Sequence, residues 1–458
     1  MRIYFIGIAG AGMHSLALYL SECGHDVWGS DPGATQEVCD FWAKRGSQIH
    51  KTQVAENIEG ADLVVYSAAV PASNPERMAA ADRGIACSRG EALARFANAH
   101  DCSIAVCGTH GKGTTSAAIT AMIEAANIPV SDILGAVPIG RTQPAKHVPH
   151  DKYLVCEVDE SDKTNTFHRP GILVINNVEE DHLNVYRDLD DIVTTFENHV
   201  RQCLVHGSRV IIHHAGIGAP LLRQKLADCD GIYWVCSEQP MDDADLRCTI
   251  APPNTQGRCR LTLCEPDGTL TQILPALGGC ANAQNLATAF AVGRALGIPA
   301  TQLTQALTDY KGLNHRCQMT EMNGVFLVPD YASHPTCIHN DISWIRSRAR
   351  RVLAIYHPYR YSLMQCHWER LGKTLSEADL VYLLPFDPCG EPAIKGIDSP
   401  NLAQNIENNG GHAQAFESFE STFEAVRQNL QIGDALMIFA GHKAFELGHE
   451  VCQKLSNK

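Results

Sequence analysis

The residues best suited to chemistry are Gly108, Thr109, His110, Gly111, Lys112, Gly113, Thr114 and Thr115, which run without interruption. The apolar stretch 103–106 before them reads as a strand, and 116–123 after them reads as a helix. Strand, glycine-framed loop, lysine and helix together make a phosphate-binding turn. Backbone N–H groups at the helix N-terminus attract phosphate oxygens, and the lysine neutralises the outermost phosphates. The pattern points to ATP. The usual turn ends in Gly-Lys-Ser or Gly-Lys-Thr, whose hydroxyl holds Mg2+. Here Gly113 follows Lys112.

Two acidic clusters fall where a metal would be held. Glu157-Val158-Asp159-Glu160-Ser161-Asp162 closes the strand-like run 153–157. A carboxylate at the C-terminal end of a strand, beside a phosphate turn, can bind Mg2+ directly or through water, and Glu157 is the best placed. Glu179-Glu180-Asp181-His182 follows the run 171–177. Its strand-end position and its carboxylates make His182 a second candidate metal ligand. The plainer reading is that Glu179 to Asp181 charge the start of a helix. Near the N-terminus, Gly7-Ile8-Ala9-Gly10-Ala11-Gly12 follows a strand-like run. Gly10, Ala11 and Gly12 would let a phosphate approach the backbone, and Asp31, ending the next strand, would meet a ribose or sugar hydroxyl. A dinucleotide and a nucleotide sugar diphosphate fit equally, and a turn kept only for packing is the alternative.

These residues need parallel strands to position them. Runs 2–8, 26–31 and 62–67 read as strands, with a helix over 13–23 between the first two. Further strands are expected at 210–214, 325–330, 351–356, 380–384 and 435–439, with a strand-rich excursion near 258–263. A helix should follow Asn282 to about Leu296, and a short one should precede Gly312. Strands alternating with helices imply parallel sheets with helices on their faces. At 458 residues the chain is too long for one core. Three segments are expected: 1–97, 98–312 and 313–458.

The net charge is 37 − 51 = −14, which argues against a nucleic-acid or anionic-membrane surface. No apolar run approaches the roughly 20 residues that span a bilayer. The N-terminal stretch lacks the basic start and long apolar middle of a signal peptide. The 18 cysteines include no CxxC pair. They read as the reduced, buried thiols of a cytoplasmic protein rather than as a zinc or redox framework. Cys366-His367 has no evident partner and reads as packing.

With these motifs on the page, the chain resembles the ATP-dependent Mur ligases of peptidoglycan synthesis. The resemblance runs nearly end to end and weakens after about Ser362. It is carried by Gly7 to Met13, Gly29-Ser30-Asp31, Ser67-Ala68-Ala69-Val70, Asn74-Pro75-Glu76, the phosphate turn and both acidic clusters. Asn282-Ala283-Gln284-Asn285, His315-Arg316, Asp330 to Thr336 and His357-Pro358-Tyr359-Arg360-Tyr361 complete it, in family order. The resemblance implies an α/β protein of three domains: Rossmann-like, P-loop ATPase-like, and Rossmann-like again. It implies an amide bond between the lactyl carboxylate of UDP-N-acetylmuramate and a small amino acid, L-alanine in the most similar branch. ATP and Mg2+ would activate the carboxylate as an acyl phosphate, and domain closure would exclude water.

By the same resemblance, Lys112, Glu157, His182 and Arg316 are catalytic, and Glu157 and His182 hold metal. Asn282 and Asn285 would contact adenine, and Arg316 and Asp330 the phosphates and ribose. Ser30 and Ser67 would join Gly10, Ala11, Gly12 and Asp31 on the UDP-sugar, while Tyr331, His334 and Arg360 would shape the substrate and amino-acid pocket. A monomer or homodimer is implied, with neither nucleic acid nor membrane as partner.

Several positions depart from the family pattern. Gly113 replaces a threonine; Thr114, turned by about 100° around the helix, cannot simply replace its hydroxyl. Weaker Mg-ATP use is therefore expected. Ala281, Pro329, Ser333 and Leu363 replace a histidine, an aspartate, a histidine and an arginine of the pattern. These changes leave two alternatives: addition of a recycled tripeptide, or a UDP-sugar-binding relative with little ligase activity.

Overall fold

The computed structural model describes residues 1–454 apart from 238–240 and 242. The chain packs as two compact units. One comprises Met1–Val178, Val193–Leu246 and Thr288–Leu307; the other comprises Glu179–Ile192, Arg247–Ala287 and Thr308–Lys458.

The first unit holds two largely parallel sheets. In the N-terminal sheet the order is Ile49–His50, Asp26–Ser30, Arg2–Ile6, Leu63–Tyr66, Ala86–Ser88. Ile3, Tyr4, Phe5 and Ile6 are all buried, as a strand covered on both faces requires. Arg2–Ile6 lies between two strands reached in opposite directions, so its C-terminal end is a topological switch point, where open α/β sheets bind ligands. The expected strand 2–8 ends early, because Gly7 adopts φ +85° and turns the chain.

In the central sheet Ser103–Cys107 lies between Tyr153–Glu157 and Ile172–Ile175, parallel to both. Val106 is level with Glu157, which brings that carboxylate to the phosphate turn. Helix Lys112–Ala125 begins at once, with Gly111 left-handed at its N-cap. Gly108 has φ +122°, and a Cβ there would sit 2.9 Å from the Asn177 carbonyl oxygen, so only glycine fits. The residues 179–181 carry no helix; the next one is Leu189–Val205.

The second unit contains a six-stranded sheet. Its order is Thr320–Met322, Val325–Asp330, Ala435–Phe439, Val352–Tyr356, Leu380–Leu383, Ala413–Ala415. Only the first pairing is antiparallel. Apolar clusters cover both faces. Leu246–Ile250, Leu261–Cys264 and Leu270–Ile273 form an antiparallel meander with alternating burial, the mark of a sheet covered on one face. The architecture is thus a three-domain α/β fold, with Rossmann-like sheets at the ends and a P-loop ATPase-like sheet in the centre. No described helix is long and apolar enough to cross a membrane.

Candidate functional site

Within the first unit, one open cleft of about 330 Å3 brings both glycine turns together. Gly10, Ala11, Gly12, Met13 and Ser67 line it from the N-terminal sheet. Lys112, Gly135, Glu157 and Asp159 line it from the central sheet. Asp31 does not project freely. Its Oδ2 accepts the Ala9 N–H at 3.0 Å and its Oδ1 accepts the Gly33 N–H at 2.9 Å, so it fixes the first turn. Ser30 is wholly buried and donates its hydroxyl to Glu76 at 2.5 Å. Tyr4 and Asn57 donate to the same buried carboxylate, each at 2.7 Å. The Ser30 hydroxyl is therefore engaged by Glu76, while its carbonyl accepts the Gly7 N–H of the first turn at 2.7 Å.

Arg89 joins the cleft without belonging to either glycine turn. It opens helix Arg89–Asn98, whose start is fixed by a capping box between Ser88 and Glu91. A Cβ on Gly12 would lie 3.2 Å from Arg89 Nη1, so the guanidinium covers the first turn of the glycine helix. Its Nη2 donates to Asp159 at 3.3 Å. The Ser-x-x-Glu pattern was the available signal, since it places Arg89 at a helix start after a strand.

At the phosphate turn, Lys112 donates to Gly108 O at 2.9 Å and to both Glu160 oxygens at 3.0 Å. Burial works against its ammonium, but Glu160, Asp159 and Glu157 outweigh it and hold the pKa above the ordinary lysine value. Burial pushes Glu160 up to about 8, against the pull of Lys112. Glu160, rather than Glu157, is thus the lysine's partner. Glu157 Oε2 accepts the Gly135 N–H at 2.7 Å, and a side chain at position 135 would strike that carboxylate. Asn177 Oδ1 accepts the His110 N–H at 3.0 Å, and Thr115, fully buried, accepts from Asn176 Nδ2 at 2.8 Å. Those bonds lock the turn from behind. Glu157 and Asp159 supply carboxylate oxygens on the cleft wall, the donor set a hard cation such as Mg2+ prefers.

The second unit gathers another group. His182 has φ +54°, and its N–H donates to Asp181 Oδ1 at 2.7 Å. His367 Nε2 lies 3.2 Å from the same oxygen. The expectation that Cys366-His367 is mere packing needs correction: His367 is buried with a specific partner 186 residues away. Burial alone would lower its pKa, but the Asp181 bond raises it to about 9. Burial likewise opposes the Asp181 charge, and His367, His182 and His334 hold its pKa well below the usual carboxylate range.

His334 caps helix Pro335–Arg346, its Nδ1 accepting the Thr336 N–H at 3.2 Å. Nε2 then carries the proton, 3.3 Å from Glu180 O and 3.8 Å from Glu179 Oε2. Asp181, His334 and His367 are close enough for a metal, but that proton argues against His334 as a ligand. Glu179 also accepts from Thr336 Oγ1 at 2.7 Å and from Arg370 at 3.4 Å.

Asp330 accepts the N–H groups of Cys317 and Ala332, both at 2.6 Å, and burial raises its pKa although Arg316 opposes this. The Arg316 guanidinium stands 5.6 Å from the Tyr331 ring, which meets Phe445 edge-on at 4.9 Å. Arg360 is exposed and left-handed, its N–H donating to Asp387 O at 2.8 Å. Leu363 packs on the apolar core. Asn282 donates from Nδ2 to Gly278 O at 2.8 Å, and Asn285 lies one turn further along helix Cys280–Ala295.

Residues 2–101 match the Mur ligase family, catalytic domain; 106–293 match the Mur ligase middle domain; 315–442 match the Mur ligase, glutamate ligase domain. The chain belongs to the Mur ligase family. Among Mur ligases, it is 31% identical to the UDP-N-acetylmuramate–L-alanine ligase of Symbiobacterium thermophilum, over 100% of this chain and 95% of that one. A crystal structure of UDP-N-acetylmuramate-alanine ligase from Thermotoga maritima is similar with a TM-score of 0.80 at 20% identity, covering 100% of this chain and 99% of that one. A murein peptide ligase from Psychrobacter arcticus is similar with a TM-score of 0.72 at 23% identity, with the same coverage. At those identities the two structures speak for the Mur ligase fold alone.

Proposed function

We propose that this Mur ligase joins UDP-N-acetylmuramate to a small amino acid, L-alanine, through an acyl phosphate formed with ATP. The carrying observation is the single cleft lined by both the Gly10–Gly12 turn and Lys112 with Glu157. The first turn offers amides and Arg89 to the diphosphate of a nucleotide sugar. The second offers amides and Lys112 to the phosphates of ATP. A carboxylate oxygen attacks the γ-phosphorus and ADP leaves. The amine then attacks the acyl carbon and phosphate leaves.

Two anions must meet for the first step, and Lys112 reduces their repulsion. Glu157 and Asp159 would hold Mg2+, which when bound offsets phosphate charge. His182 is carried over as a second ligand, and Arg316, Asn282, Asn285 and Asp330 as nucleotide contacts, from the family pattern. Tyr331, His334 and Arg360 are carried over as acceptor-side residues. The nucleotide substrates favour a cytoplasmic protein.

Leu363, half-buried against the apolar core where the pattern has arginine, leaves the acceptor open, and a tripeptide acceptor is the second reading. Phosphate release with ATP, Mg2+ and UDP-N-acetylmuramate, screened over single amino acids and the tripeptide, separates them. Dependence on L-alanine supports the main reading. Dependence on the tripeptide supports the second. UDP-sugar binding without release under any acceptor overturns both.

A further inference from the structure

Cysteines 259 and 280 belong to no step of the ligase reaction, yet they face each other at an Sγ–Sγ separation of 3.5 Å. The surrounding backbone fixes this approach. Asn254 Oδ1 accepts the N–H groups of Gln256 and Arg258, which closes a tight turn around Gly257. The Gly257 carbonyl then accepts Trp344 Nε1 at 2.7 Å and the Gly279 N–H at 3.3 Å. One oxygen therefore pins the turn before Cys259 to the turn before Cys280.

The two thiols differ in a way that suits a sequential reaction. Cys259 is 1% exposed. Cys280 is exposed and opens helix Cys280–Ala295, where the helix N-terminus favours a thiolate. The hydrogen bond from Cys259 lowers its pKa to about 7, against burial.

We propose that Cys259 and Cys280 form an oxidation site that takes a hydroperoxide and closes to a disulfide. The Cys280 thiolate attacks a peroxide oxygen, the O–O bond breaks, and a sulfenic acid forms while hydroxide leaves. Cys259 sulfur attacks Cys280 sulfur, the S–O bond breaks, and the departing hydroxide takes the Cys259 proton. Two thiols lose two electrons and hydrogen peroxide becomes two waters. A dithiol reductant reverses the bond by exchange.

A disulfide needs the sulfurs about 2 Å apart, so closure draws the first turn of helix Cys280–Ala295 toward the Gly257 turn. That turn carries Asn282, bonded to Gly278 O. Oxidation should therefore weaken ATP binding; this consequence rests on the adenine role proposed above, whereas the bond itself does not.

The test treats the full-length protein with stoichiometric hydrogen peroxide, blocks remaining thiols, and maps peptides by mass spectrometry. The expected result is a reducible 259–280 cross-link that accumulates before any other of the 18 thiols reacts. The KM for ATP should rise severalfold, with the KM for UDP-sugar unchanged. Cys280→Ser and Cys259→Ala should each abolish the cross-link and the KM response, and Cys280, being exposed, tolerates replacement. A different pair forming first, or Cys280 advancing to sulfinic acid without a cross-link, overturns the site. A cross-link that leaves ATP binding unchanged overturns its coupling to the nucleotide. Failure of the reduced protein to bind ATP instead overturns the ligase reading, and the peptide map distinguishes the two failures.

Discussion

Two glycine turns open two helices in this protein, and they supply charge differently. The Gly7–Gly12 turn has no lysine of its own. Its fixed acid, Asp31, is spent on backbone N–H groups, and its cation, Arg89, comes from another helix and pairs with Asp159. The Gly108–Lys112 turn carries its cation within the loop, held by the buried Glu160. Backbone amides alone can hold a phosphate group; a transferring phosphoryl group also needs a charge that follows it. The first turn is built to hold and the second to react.

The comparison is broken most severely at Lys112. Lys112→Ala should cut turnover by about a thousandfold, the scale of a lost charge at a phosphoryl-transfer site, and leave UDP-sugar binding intact by calorimetry. A parallel loss of sugar binding would mean that the two turns do not divide the work. At the other turn, Arg89→Ala should raise the KM for the UDP-sugar about tenfold, equivalent to about 1.4 kcal/mol, with little change in the KM for ATP. An effect confined to ATP would assign Arg89 to the wrong turn.

Smaller effects sharpen the contrast. Gly113→Thr should restore a hydroxyl beside the phosphates and lower the Mg2+ concentration for half-maximal rate severalfold. No change would remove metal coordination as the deficit at this turn. The smallest effect concerns pH. Burial lifts Glu160 from its ordinary 4.5 to about 8, so the folded protein holds a proton there that the unfolded chain has released. This contribution to stability falls as pH rises from about 4.5 to 8. Melting temperatures of Glu160→Gln across that range should lack this part of the wild-type decline, and an equal slope in both proteins would contradict it.

How legible was this in the sequence? The strands, though not where they end, both glycine turns and Lys112 follow from local patterns: apolar runs of strand length, glycines after them and helical spacing beyond. Glu157, which lines the cleft, is legible as a candidate from its strand-end position beside the phosphate turn. The pairs that decide charge were not legible. Lys112 with Glu160, Arg89 with Asp159, Ser30 with Glu76 and His367 with Asp181 are separated by 48, 70, 46 and 186 residues. Each depends on which faces the folded sheets and helices present, and no local period encodes that. Ser30 illustrates the limit: the run Asp26–Ser30 reads as a strand, but only the Glu76 network shows where its hydroxyl points.

The central claim is that sugar-linked acid and triphosphate react across one cleft. The most direct measurement uses UDP-N-acetylmuramate carrying oxygen-18 in the lactyl carboxylate, incubated with ATP, Mg2+ and L-alanine. Passage through an acyl phosphate transfers one labelled oxygen to the released phosphate, which mass spectrometry reads as a shifted ion. Unlabelled phosphate accompanying amide formation, or no phosphate at all with both substrates bound, would contradict the account.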